Sequence, residues 1–183
     1  MHPFETIAYL QHGSPRQQEA FLCLHSLGIM TTLVPFDPLL CGTVPIGIDG
    51  PESDLDIICC YGEAKGFIET VRAHFGNCSG FLLSETEVGD RRTVLASFTY
   101  DGFPFEVFGQ ARPVREQEAW RHLVVEAHLL QVHGEPLRAA VLQLRANGLK
   151  TEPAFAQALG LPGDPYAALL AVYDTIDPVH DAS

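Results

Sequence analysis

Apolar positions along the chain keep two spacings, and the switches between them outline the elements. Residues 3–11 are weakly helical. Ser14 before Pro15 predicts a helix start, with Ser14 as N-cap and Pro15 at the first helical position. Apolar positions 20, 21, 24 and 27 carry that helix to Gly28. Arg16, Gln17 and Gln18 fall in its first turn and read as a solvated helix start, with Arg16 reaching a phosphate as the sharper alternative. Residues 31–41 read as extended chain interrupted by Pro35 and Pro38, and 44–53, with two prolines and two glycines, as a loop. Leu55–Cys60 is a short run of strand formers. Ala64–Phe75 has apolar residues at 64, 67, 68, 71 and 75, a helical spacing that Gly76-Asn77 ends. Strands follow at 79–87 and 92–100, and Asp101-Gly102 signals a hairpin into 103–108.

The second part of the chain is helical in pattern. Ala119, Trp120, Leu123, Val124, Ala127 and Leu130 form an apolar stripe over 116–133, which makes Trp120 a core residue. Helices are also predicted over 135–147, with Pro136 near the start, over 151–159 and over 164–176, with Thr151 and Asp164 as caps. The tail from Asp177 is acidic and predicted to fray. A strand, a helix and a strand meander followed by helices make an α/β chain of the α+β type, a mixed sheet with C-terminal helices. Residues 1–110 form the core and 111–183 a helical extension packed on it, in one compact unit.

Composition narrows the functions open to such a fold. The chain has 183 residues, 46% of them hydrophobic, enough for one sizeable core. A net charge of −12, with only 11 Lys and Arg, argues against an extended nucleic-acid surface, because phosphate neutralisation needs a basic face. No apolar run approaches a membrane span, and no basic, apolar leader opens the chain. Five cysteines, with Cys59 and Cys60 adjacent on one strand and no Cys-x-x-Cys, read as reduced thiols of a cytoplasmic protein.

Candidate chemistry begins at the mouth of the strand at 55–60. Asp54 and Asp56 point to one side of it, roughly 6–7 Å apart. Two such charges repel by about 2.5 kcal/mol at an effective dielectric of about 20. Folding does not need that arrangement, whereas a divalent cation turns it into coordination. An aspartate opening a strand is also an ordinary turn residue, so the companion segment matters. Gly42-Thr43 follows the apolar Leu39-Leu40-Cys41, placing a permissive backbone and a hydroxyl beyond another short strand. Glu106 alternates with Phe105 and Val107 on the strand at 103–108 and costs free energy there unless paired or coordinated. Arg112, Arg115, Arg121 and His122 gather four potential cations in eleven residues, a candidate triphosphate edge or a solvated helix face. His122 and Glu126 stand four apart on one helix face, read foremost as a structural hydrogen bond. Gly148-Leu149-Lys150-Thr151 is no P-loop, since the upstream glycine is missing.

The series Cys41-Gly42-Thr43, ten residues, then Asp54-Leu55-Asp56-Ile57, with Ser53 before the pair, resembles the signature of the DNA polymerase β-like nucleotidyltransferase superfamily. Thr43 departs from it, standing where Ser or Gly is more usual. The likeness covers 39–60 well and about 30–110 loosely, and the whole chain looks like an uncharacterised bacterial family of that superfamily. The resemblance implies a nucleotidyltransferase-like core and transfer of an NMP group from an NTP to a hydroxyl acceptor that it does not identify. It implies Asp54, Asp56 and Glu106 as catalytic and metal-holding residues for Mg²⁺ or Mn²⁺. Gly42, Thr43, Ser53, Arg121 and His122 are the implied nucleotide-binding residues.

Two other readings stay open. The same fold could serve as a non-catalytic module that binds a nucleotide or a protein. His122, Glu126 and His128 could instead serve a metal-dependent hydrolase, although 126 and 128 are about 200° apart around a helix.

Overall fold

The computed structural model describes residues 2–176, so the predicted fraying beyond Asp177 lies outside the described residues. Two 3₁₀ turns, Pro3–Glu5 and Ala8–His12, lead into helix α1, Pro15–Leu27. Ser14 and Gln17 form a reciprocal capping box at its start, and Gly28 ends it in the left-handed region. The chain then departs from the extended path expected over 31–41. It makes helix α2, Ile29–Thr32, and a 3₁₀ turn, Val34–Phe36, before strand β1, Leu39–Cys41. Pro35 suits the first turn of a 3₁₀ helix, and Asp37 reverses the chain with φ of 50°.

Strands β2, Leu55–Cys60, β3, Ser79–Val88, β4, Arg91–Tyr100, and β5, Phe103–Gln110, join β1 in one sheet of order β1-β2-β5-β4-β3. Helix α3, Ala64–Phe75, connects β2 to the β3–β4–β5 meander. The β2–β5 pair is parallel and every other pair antiparallel, so the sheet is mixed as predicted. Asp101 and Gly102 both take positive φ in the β4–β5 hairpin. Alternation along β2 and β5 sends Leu55, Ile57, Cys59, Phe105 and Val107 to one face, against α1 and α3. The rings of Phe98 and Phe105 stack there with centroids 4.9 Å apart, and Phe75 stacks on Phe98 at 5.5 Å.

The opposite face carries Leu39, Cys41 and Ile58 and meets helices α4, Glu118–Ala146, α5, Thr151–Leu159, and α6, Pro165–Ile176. Trp120 is buried in that second core. Helix α4 breaks at Gly134, whose φ of 66° and ψ of −152° no other residue adopts readily, with Pro136 just beyond. The predicted division into two helices near 134 therefore holds in backbone geometry. Asp164 caps α6, its Oδ1 accepting from the Ala167 amide at 2.9 Å. Thr151 is not a cap: Lys150 holds the N-cap position of α5 and makes no side-chain capping bond. No helix among the described residues is long and apolar enough to cross a membrane.

The stacked rings give the first core a direct test. Phe105→Ala is expected to destabilise the protein by about 3–5 kcal/mol in urea unfolding. A loss below about 1 kcal/mol would mean that the Phe75–Phe98–Phe105 stack does not organise that face.

Candidate active site

The even-numbered positions of β2 and β5 place the acidic residues on the α4–α6 face. Asp56 pairs in register with Cys41 on one side and Glu106 on the other. Neighbouring strands run about 4.8 Å apart, so the Asp56 and Glu106 side chains stand next to each other. Asp54 precedes β2 by one residue and rises on the same face. The three carboxylates share one large cavity of about 1070 Å³ with Gly42, Thr43 and Ser53. Among the described residues no salt bridge reaches any of the three.

Gly42 is fitted to this arrangement in two ways. Its φ is +78°, and a Cβ there would meet Asp56 Oδ2 at 2.0 Å. The carboxylate thus lies in the space a side chain would fill. Thr43 Oγ1 donates to Ser53 Oγ at 3.2 Å, and the Gly50 amide donates to the same Ser53 oxygen at 2.9 Å. These hydroxyls tie both ends of the loop together beside the acids. Gln17 donates to the carbonyls of Val44 and Pro45 at 2.8 and 3.1 Å, and Arg138 to those of Ile46 and Gly47 at 2.7 and 2.8 Å. Arg145 donates to Ile48. Gln17 is therefore a strap on the loop, not a solvated residue.

Unneutralised acids leave an electrostatic mark. Asp56 is pushed up to about 8, first by burial and then by Asp54, Glu106 and Glu152. Burial and then Asp54 also raise Glu106. Eight carboxylates line the cavity against three guanidiniums, those of Arg91, Arg112 and Arg145.

The expected basic edge is only partly assembled. Arg112 and His122 line the cavity. Arg121 does not: it pairs with Asp174 and lies over the Tyr173 ring at 4.9 Å, because its position on α4 faces α6. Arg115 is turned to Glu5 and Asp37, at 2.9 and 3.9 Å. Arg16 sits on the Phe103 ring at 3.8 Å, away from the cavity. The anticipated His122–Glu126 hydrogen bond is not made: both ring nitrogens of His122 and Oε1 of Glu126 are buried without a hydrogen-bond partner among the described residues. His128 is not among the lining residues. Sequence reasoning missed Glu152 of α5, Arg145, Tyr166, and Val88 to Arg91 at the β3–β4 turn, all on the cavity wall. They lie far from the Asp pair in sequence, and no local pattern links them to it.

A family model described as "Domain of unknown function (DUF4269)" matches residues 22–172, and the chain belongs to that family. No curated protein matches the sequence. Among solved structures, a mutant of the Cid1 poly(U) polymerase bound to MgATP is similar with a TM-score of 0.53 and 16% identity, over 92% of this chain and 53% of that one. The polymerase core of TRAMP, an RNA surveillance complex, is similar with a TM-score of 0.51 and 12% identity, over 96% and 54%. The Cid1 poly(U) polymerase with MgGTP gives a TM-score of 0.51 and 16% identity, over 73% and 42%. These likenesses show the fold, a mixed sheet with helices that this chain shares with those polymerases. The chain spans about half the length of the structures it matches.

The Asp56 titration sets a pH dependence. An unfolded aspartate loses its proton near pH 4, and the folded one near 8. Between those values the folded chain holds a proton that the unfolded chain has released, so the metal-free protein is expected to lose stability as pH rises from about 4 to 8. Asp56→Asn removes that loss and is expected to stabilise the metal-free protein at pH 8 by about 1–2 kcal/mol, a few degrees in Tm. Thermal unfolding of both proteins across this range reads the effect, and an unchanged pH slope in the variant would assign the titration to another group.

Proposed function

We propose that this member of the DUF4269 family is a divalent-metal-dependent nucleotidyltransferase, moving an NMP group from an NTP to a hydroxyl-bearing acceptor. One observation carries the reading: Asp54, Asp56 and Glu106 converge, with no salt bridge to any of them among the described residues, beside a glycine whose missing side chain makes room for Asp56. Oxygen-only donors of this kind fit Mg²⁺ or Mn²⁺. When bound, such a cation neutralises phosphate charge and lowers the pKa of an acceptor hydroxyl.

The chain's own groups then have separate tasks. Asp54 and Asp56 hold the cation on the sheet, and Glu106 completes the donor set from the neighbouring strand. The Gly42-Thr43 turn, fixed through Ser53, offers backbone amides to the triphosphate. Arg112 provides a remaining polar contact on that side of the cavity. In the transfer the acceptor oxygen bonds to the α-phosphorus and the bond from that phosphorus to the bridging oxygen of the β-phosphate breaks. Pyrophosphate leaves, and the hydroxyl proton passes to solvent. Residues 1–110 act as the transferase core and the helices after 110 as the acceptor wall.

The excess of acids along that wall and the net charge of −12 favour a small acceptor over an extended nucleic acid. The volume of the cavity, at the upper end of the range for ligand pockets, accommodates a nucleotide and a compact second substrate. Five free thiols among the described residues fit a reducing, cytoplasmic setting.

Thermal stabilisation by each NTP, with Mg²⁺ and with EDTA, tests the site. A nucleotide at 100 times its dissociation constant stabilises by about 2.7 kcal/mol. That gain should require Mg²⁺ and vanish in Asp54→Asn/Asp56→Asn. Glu106→Gln should lower NMP transfer by more than about 100-fold, as expected for several kcal/mol of lost transition-state stabilisation. Nucleotide binding undiminished by EDTA would replace the enzyme with a nucleotide-binding module.

A further inference from the structure

A second group of donors occupies the helical wall of the cavity. His122 and Glu126 are one turn apart on α4, which stacks their side chains on one face. Glu152 enters from the first turn of α5. One donor atom from each of the three lies within 4.8 Å of the others. His122 and Glu126 are only 6% and 4% exposed. Both imidazole nitrogens and Glu126 Oε1 are buried without a hydrogen-bond partner among the described residues. A buried carboxylate and a buried imidazole left in this way carry an uncompensated desolvation cost. The nearby Arg145 offsets it only in part, by its charge at a distance, because it is engaged with the Ile48 carbonyl and makes no salt bridge to Glu126 among the described residues.

We propose that His122, Glu126 and Glu152 form a binding site for a first-row transition cation, zinc foremost, separate from the Asp54–Asp56–Glu106 set and facing it across the same cavity. The imidazole distinguishes the two sites. Nitrogen with two carboxylates suits Zn²⁺ and its neighbours in the series, whereas an all-oxygen set suits Mg²⁺. Donors about 2.0–2.2 Å from a tetrahedral ion lie about 3.4 Å apart, so closing the site requires only a modest approach of side chains already converging. Three protein ligands leave a coordination position open, and all three residues line the cavity, so that position faces bound substrate. The site stands on its own donors and does not depend on the nucleotidyl-transfer reading.

Cobalt(II), added to the full chain after chelator treatment and followed by its visible absorption, is the probe. Wild type and Asp54→Asn/Asp56→Asn should both show the same intense bands of one tetrahedral cobalt, which zinc should displace, since a second cobalt on the all-oxygen set of the wild type would be octahedral and absorb only weakly. Glu152→Gln, which alters the half-exposed ligand and spares the buried core, should weaken binding by more than about 100-fold, at least the effect of losing an outer-shell group. His122→Gln should do the same and remove the spectral contribution of nitrogen. Absence of cobalt binding by the wild type would overturn the proposal. So would full binding in Glu152→Gln, or binding abolished by the aspartate substitutions and untouched by Glu152→Gln. The failure of this site leaves the magnesium-dependent nucleotide shift unaffected, so the two readings fall separately.

Discussion

The parallel pairing of β2 with β5 is the constraint on which the site depends. It sets Asp56 against Glu106 in register, with Cys41 on the other flank, and fixes which face of the sheet receives the acids. A slip of one residue would exchange the faces, burying carboxylates against α3 and exposing Ile57 and Val107. The apolar odd positions prevent that slip, since Leu55, Ile57, Phe105 and Val107 fill the core under α1 and α3. The same hydrophobic alternation that folds the sheet therefore gathers the charges.

Gathering those charges opposes folding, and the surroundings supply the rigidity that holds them. Gln17 from α1 and Arg138 and Arg145 from the second half of α4 bind successive carbonyls of the loop after Gly42. Gln117 donates from the head of α4 to the Cys59 carbonyl at 3.0 Å, locking the helical layer onto β2. Donors contributed by two separate helices fix the loop without neutralising the acids. Asp56 consequently keeps its elevated pKa, and stability is given up there to hold the acids together.

The helical layer does more than cover the sheet. The break at Gly134 lets one long helix contribute to two tasks. Its first half presents Gln117, Glu118, His122 and Glu126 to the cavity, and its second half sends Arg138 and Arg145 to the loop. α5 then brings Glu152 against His122 and Glu126. Acids from both layers line one space, and Glu152 adds to the burden on Asp56 from the far wall.

Local signals determined much of this on their own. Leu55–Cys60 and Ala64–Phe75 have the bounds that their apolar spacing predicts, and the Ser14-Pro15 start, the Asp101-Gly102 turn and the break near 134 are each the work of one or two residues. The Gly42-Thr43 and Asp54-x-Asp56 spacing was legible because turn and strand lie only ten residues apart and strand alternation is local. Short range failed at 31–41, where proline admits both extended chain and 3₁₀ turns, and the choice fell to packing. Only the tertiary structure decided which cations reach the cavity: Arg112 lines it, while Arg115 and Arg121 are drawn to Glu5, Asp37 and Asp174 on other elements. It also decided that His122 and Glu126 take Glu152 as their third neighbour in place of a mutual hydrogen bond. Helical periodicity sets the face a residue occupies, but the residue it meets there depends on the docking of α5 against α4, which no local spacing records.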